Sequence, residues 1–282
     1  MPKPDPWAFH AHPEVWVLMV GIAVGYWYLV SRPERGPVPR RKVACFASGL
    51  AILWIGADYP IHDIAERYLF SVHMFQHLLF SLVAPGLLIL GIPDWLQQRL
   101  WGSGRRAQVL RVVGKPLIAG GLYTVWLVFS HWPTAMDVAL RHEPVHFLFH
   151  LVLFSTASLM WFPVLNRNPE LPMLSPPGRM VYVFLQSIVP TVPAAFFMFA
   201  ETAIYRFYAH APRPFDVTAV ADQQLAAAIM KVWGAAILWL VIAVMFFRWT
   251  GADERERLAR RRVLTWDEVQ AELERTNAPA EH

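Results

Sequence analysis

Residues 68–92 read YLFSVHMFQHLLFSLVAPGLLILGI, and no Asp, Glu, Lys or Arg interrupts them. A helix needs about 20 apolar residues to cross roughly 30 Å of hydrocarbon, so this stretch has the length and chemistry of a membrane span. Pro85-Gly86 inside it predicts a kink, because proline has no backbone N–H to donate and crowds the preceding turn. Six further apolar stretches of similar character lie near 14–31, 42–58, 115–132, 144–165, 180–202 and 224–249. The expected fold is all-α: a polytopic membrane bundle of about seven transmembrane helices over residues 1–250, then a tail over 251–282. In the tail, Thr265 followed by Glu268 fits a capping box and predicts a short helix from Trp266 to Arg275. The first stretch ends in Ser31-Arg32-Pro33-Glu34-Arg35 rather than in small residues, which argues against a cleaved signal peptide.

Composition agrees. The chain is 56% hydrophobic and 16% charged, where a soluble domain carries about 25% charged residues. Its single cysteine, Cys45, excludes a disulfide scaffold, a Cys-based zinc module and a CxxC redox site. Cys45 itself reads as packing.

Charge orients the bundle. Arg32, Arg35, Arg40, Arg41 and Lys42 follow the first span, and Arg99, Arg105, Arg106, Arg111 and Lys115 follow the third. Arg248, Arg255, Arg257, Arg260, Arg261 and Arg262 follow the seventh, whereas the alternate loops are poor in basic residues. The positive-inside bias therefore predicts an external N-terminus and a cytoplasmic C-terminus. It also accounts for the pI of about 9.4 through topology and anionic membrane lipid, so nucleic acid is not needed as a partner.

The histidines fall on the other side. His10, His12, His62, His73, His77, His131, His142, His146, His150 and His210 map to the outer face, and only His282 to the cytoplasmic one. Two pairs stand four residues apart, His73/His77 and His146/His150, and each pair shares one helical face. If their helices are neighbours, four imidazoles converge, and neutral imidazole suits copper, zinc, iron and nickel. Met74 should be turned off that face. A single such pair reads more naturally as interhelical hydrogen bonding; two at similar depth favour a metal or cofactor site. His62, His131 and His210 are expected to be solvated structural residues at loops and helix ends. His10 and His12 read as an accessory metal tract or a polar N-terminus.

Residues 142–146, HEPVH, match the HExxH zinc-protease pattern, but Pro144 breaks the continuous helix that chemistry requires. Asp222 reads as a helix cap, an oxygen ligand or a partner orienting a histidine. Lys231 lies inside a span and must pair or reach water, and Glu201 is one candidate partner.

His73 to Phe80 followed by Ala84-Pro85 and Leu90 to Pro93, His146 to His150 leading into Trp161-Phe162-Pro163-Val164, and Asp222-Gln223 ahead of Met230 together resemble the CtaG family of caa-type cytochrome c oxidase assembly factors. The resemblance covers most of the chain. It implies a multi-pass protein of the bacterial inner membrane, a non-enzymatic role in producing active haem–copper oxidase, and copper as cargo. It also implies a site of His73, His77, His146, His150, Asp222 and Met230, and an oxidase subunit or another copper-delivery protein as partner. Some relatives carry a polar residue where this chain has Phe149, so that position is not expected to support a ligand here. The alternative is a bis-His haem-binding redox subunit, with one histidine from each helix flanking the ring. A copper transporter would need ligands continuing through the span, and beyond the outer turns the sequence offers mainly Lys231.

Overall fold

The computed structural model describes residues 5–32, 36–168, 170–260 and 266–277. Among these residues every regular element is helical. In chain order they are α1 (Pro13–Val30), α2 (Arg40–Ala57), α3 (Ile61–Arg67), α4 (Phe70–Leu78), α5 (Ala84–Gly91), α6 (Asp94–Trp101), α7 (Gly104–Val113), α8 (Pro116–Ser130) and α9 (Pro133–Arg141). There follow α10 (Glu143–Leu165), α11 (Pro176–Ile188), α12 (Thr191–Phe199), α13 (Arg206–His210), α14 (Ala219–Ala228), α15 (Gly234–Arg260) and α16 (Trp266–Asn277). A π-helical turn, Leu79–Val83, joins α4 to α5, and a second, Ile229–Trp233, joins α14 to α15.

Five helical segments are long and apolar enough to cross a membrane: Pro13–Val30, Phe70–Gly91, Glu143–Leu165, Pro176–Phe199 and Ala219–Leu258. The count reaches seven if α2 with α3, bent by 40°, and α7 with α8, bent by 75°, each form one span. The two weaker spans have physical reasons. Arg40, Arg41 and Lys42 open α2, and α8 has 15 residues, about 23 Å of helix against roughly 30 Å of hydrocarbon. Apolar side chains such as Val17, Leu117, Val192 and Phe199 point outward, as expected where the surrounding solvent is lipid. The short helices α3, α6, α7, α9 and α13 lie where the sequence suggests only connections; none approaches spanning length, so hydropathy does not register them.

The chain divides into a unit ending at Ile242 and a second beginning at Ala243. In the second, α16 occupies the region where a short tail helix is expected, and Arg257 pairs with Asp253 at 2.9 Å. The predicted cap Thr265 lies outside the described residues, as do Pro33 to Arg35, Arg261, Arg262 and His282.

Within the first unit, α2 runs along α5, α10 packs on α8, and α14 packs on both α4 and α12. At Gly91 α5 lies close against α2: a Cβ there would lie 2.5 Å from the Phe46 backbone nitrogen. Tyr26 of α1 stacks on Phe46 with ring centroids 3.7 Å apart and donates its hydroxyl to the Gly91 carbonyl at 2.9 Å. At the same end, the buried Lys42 amine donates to the Ile92 carbonyl at 3.0 Å and pairs with Asp94 at 2.7 Å. This end is the one opposite the paired histidines.

Around the expected kink at Pro85-Gly86 the chain stays one continuous span, Phe70–Gly91. The helical ladder changes register one turn earlier, at the π turn, and Pro85 sits in the first turn of α5, where its missing N–H is tolerated. The carbonyl four residues before Pro85 belongs to Ser81, and Trp161 of α10 donates its indole N–H to it at 3.1 Å.

Candidate metal centre

α4 and α10 are neighbours at the ends where their histidines lie. His73 and His77 of α4 face His146 and His150 of α10. The Nε2 atoms of His73 and His77 are 2.8 Å apart, and so are those of His146 and His150. Across the helix pair, His73 stacks on His146 at 5.2 Å between centroids, and His77 meets His150 edge-on at 5.1 Å. One ring nitrogen each from His73, His146 and His150 lie within 4.8 Å of one another.

A carboxylate holds the cluster from the side. Glu66 of α3 places Oε1 2.5 Å from His146 Nδ1 and 3.2 Å from His62 Nε2. The buried Gln76 amide nitrogen donates to the Gly56 carbonyl at 2.7 Å and to His62 Nδ1 at 3.2 Å. With Nδ1 accepting, His62 carries its proton on Nε2 and donates to Glu66; His146 donates to the same carboxylate through Nδ1. The lone pair of His146 therefore sits on Nε2, facing the other imidazoles. A ligating histidine whose second nitrogen is fixed by a carboxylate is a common metal-site arrangement.

The same network reaches the N-terminal segment. His12 packs edge-on against His62 at 4.9 Å and its Nε2 lies 3.1 Å from Asp63, which His10 also contacts at 3.1 Å. The described residues thus place His10, His12, His62, His73, His77, His131, His146 and His150 in one connected region. His142 and His210 lie apart and exposed.

Several expectations change. His131 is buried rather than solvated, as the C-terminal residue capping α8, with its ring 5.5 Å from that of His77. His62 is half-buried in the Glu66 network rather than a loop residue facing water. Met74 does turn off the His73/His77 face, and there it meets His131, its sulfur 3.4 Å from Nε2. Lys231 reaches the Thr191 hydroxyl at 2.6 Å and the Ser187 carbonyl at 3.3 Å, not Glu201; oxygens of the neighbouring α11–α12 corner are nearer than an exposed carboxylate. His142 precedes α10, so HEPVH does not form one ligand face, although Glu143 is already the first helical residue.

Asp222 is a cap for a helix other than its own. Its two oxygens accept from the backbone N–H groups of Phe70 at 2.8 Å and Ser71 at 3.0 Å, the first turn of α4. Arg213 approaches at 3.7 Å, while Thr218 caps α14 itself by accepting from Ala221 at 3.2 Å. Asp222 thereby fixes the start of the helix that presents His73. Gln223 accepts from Ile204 N–H at 2.8 Å and donates to the Phe197 carbonyl at 3.1 Å. Met230 is packed with Phe70, Met74, Met136, Phe197 and Tyr205. Phe149 packs on Trp126 at 5.1 Å, away from any polar role.

The residues missing from the sequence-derived site are Glu66, His62, Gln76, His131 and Met74. Glu66 had a detectable signal: it stands four residues after His62 and so shares its helical face.

The profile of the cytochrome c oxidase caa3 assembly factor family (Caa3_CtaG) matches residues 23–252. The chain belongs to this family. As a CtaG-family chain it carries both histidine pairs, Glu66, His131 and Asp222 inside the matched region, while His10 and His12 precede it. Two mycobacterial proteins are also similar, the uncharacterized protein Mb0105 of Mycobacterium bovis and the uncharacterized protein MT0111 of Mycobacterium tuberculosis. Each is 25% identical over 282 residues, covering 93% of this chain and 42% of the relative. The chain thus spans about two fifths of the length of those curated relatives. No solved structure matches it significantly.

Proposed function

We propose that this CtaG-family protein binds copper as cargo through His73, His146 and His150, with His77 beside them, and passes it on during assembly of a haem–copper oxidase. The observation that carries the reading is the convergence of three imidazole nitrogens within 4.8 Å of one another, with Glu66 holding one ring in the ligating tautomer. The donor set fits the metal. Imidazoles bind copper well, and the Nδ1 atoms of His73 and His77 are buried without a hydrogen-bond partner, an arrangement that disfavours a purely structural polar cluster. A haem held between two imidazoles needs a flat slot, whereas these rings are in contact, which favours an ion. Glu66 orients His146, Asp222 fixes the start of α4, and the packed aromatic residues keep water away from the rings. Imidazoles release a metal more readily than paired thiolates do, which suits a donor rather than a store.

The arginine-rich loops support a cytoplasmic C-terminus and an external N-terminus in a bacterial inner membrane. The histidine end then faces outward, towards the partner, an oxidase subunit or another copper-delivery protein. The role is that of a carrier, without catalysis.

The test is copper analysis of the purified protein and of His73→Ala plus His150→Ala. A loss of bound copper in the variant supports the site, and equal content in both removes it. In a strain lacking the protein, the oxidase should accumulate without copper; a fully active oxidase there defeats the assembly role.

A further inference from the structure

His131 donates its Nδ1 hydrogen to the Leu127 carbonyl at 2.7 Å, so a neutral ring carries its lone pair on Nε2. Burial in an apolar surround keeps the ring neutral, and its residue is 5% exposed. Nε2 faces the Met74 sulfur at 3.4 Å, and a thioether has no hydrogen to offer. Two lone-pair donors thus confront each other in the core with no proton between them. As a packing contact this is unsatisfied; as half of a soft cation's coordination shell it is complementary.

The surroundings supply the rest. Met74 and His131 line a cavity of about 30 Å³ with Met230, His77, Ser81 and Tyr123. That volume holds one water or one ion. Met230 brings a second thioether, from the π turn Ile229–Trp233 that packs against α4. His77 also lines the cavity, and its Nδ1 is buried and without a partner. No carboxylate lines the cavity, so a monovalent ion is better matched than a divalent one, whose uncompensated charge costs more in low dielectric. Thioether sulfur beside imidazole favours a soft ion such as Cu(I).

We infer that Met74, His131 and Met230, with His77 at the edge, form a second, sulfur-containing site for a monovalent soft cation. It is distinct from the group of His73, His146 and His150, and it stands whether or not that group carries copper. His77 touches both, through His73 at 2.8 Å and through the His131 ring at 5.5 Å. The arrangement gives the protein two adjacent positions of different softness, one with nitrogen alone and one with sulfur.

The test uses the full chain in detergent, titrated without oxygen with Ag(I), a redox-inert stand-in for Cu(I), followed by X-ray absorption of the Cu(I)-loaded protein. The wild type should bind two equivalents and show metal–sulfur scattering. Met74→Leu plus Met230→Leu, a swap that conserves core volume, should lose one equivalent and all sulfur scattering. His73→Asn plus His150→Asn should lose the other equivalent and keep the sulfur signal. If the methionine pair does not fold, as judged by circular dichroism, His131→Gln decides the matter through a tenfold or greater loss of Ag(I) affinity at one equivalent. A wild type with nitrogen scattering alone, or a folded methionine variant with unchanged stoichiometry, overturns the site. A wild type that binds a single equivalent, lost on methionine substitution, overturns the imidazole group instead and leaves this site standing.

Discussion

Glu66 Oε1 lies 2.5 Å from His146 Nδ1, closer than the 2.8 Å contacts within either histidine pair. The contact joins a residue of the short helix α3 to one on α10, so the orientation of the His146 ring depends on an element outside its own helix. A carboxylate accepting from Nδ1 leaves the lone pair on Nε2, the atom a bound metal would take. Glu66→Ala should therefore weaken copper binding by about 10–100-fold, read by competition with a chelator of known affinity. Glu66→Gln, which keeps an acceptor oxygen but loses the charge, should fall between wild type and alanine. Changes below twofold in both variants mean that Glu66 only packs.

Both carboxylate oxygens of Asp222 are engaged by backbone N–H groups of α4. It caps the first turn of α4 through Phe70 and Ser71, and hydrogen bonds to a charged acceptor are worth about 1.5–3 kcal/mol each. Asp222→Ala should lower stability by about 3 kcal/mol, measured as an earlier thermal transition in detergent. Protein that remains folded should still bind copper at wild-type stoichiometry. Copper lost from a folded Asp222→Asn variant, which keeps an acceptor in place, points instead to a ligand.

What the sequence makes legible here is periodic or compositional. The long apolar stretches mark the spans, and the four-residue spacing puts His73 with His77 and His146 with His150. That α4 and α10 bring those faces together is not legible in the sequence, because nothing local in either helix records its neighbour. Glu66 and His131 are harder to read for the same reason: each joins the cluster through a contact across helices, Glu66 and His146 standing 80 positions apart and His131 and Met74 57. Asp222 carried an ambiguous signal. An acid in the first turn of α14 suits that helix's own dipole, yet its oxygens satisfy α4, 151 and 152 residues away in sequence. The π turn ahead of Pro85 has another cause. Proline announces a missing N–H, but where the ladder absorbs it depends on whether a donor such as Trp161 is at hand.

Gly91 tests the far end of the bundle. A Cβ there would come within 2.5–2.7 Å of Phe46 backbone and side-chain atoms, so α2 and α5 would have to separate. Gly91→Ala should destabilise by about 1–3 kcal/mol, the usual range for overpacking, even though alanine favours helix over glycine by about 1 kcal/mol. Thermal unfolding in detergent reads the effect. Copper stoichiometry should be unchanged, because the strain arises at the end opposite the histidines; an unaltered melting temperature shows that the helices can part without cost.

The Trp161 indole and the Ser81 carbonyl give the sharpest energetic test, because the need for the bond is set by a third residue. Pro85 leaves that carbonyl without its usual donor four residues on, and Trp161 supplies one at 3.1 Å. Trp161→Phe keeps most of the apolar surface but removes the N–H, and should lower stability by about 1–3 kcal/mol for a buried acceptor left unpaired. Pro85→Ala restores a backbone donor to the same carbonyl. The loss caused by Trp161→Phe should therefore be smaller in the Pro85→Ala background, with a coupling of about 1 kcal/mol or more in a double-mutant cycle. Strict additivity would show that the indole bond and the missing proline N–H are unrelated, and that the π turn alone satisfies Ser81.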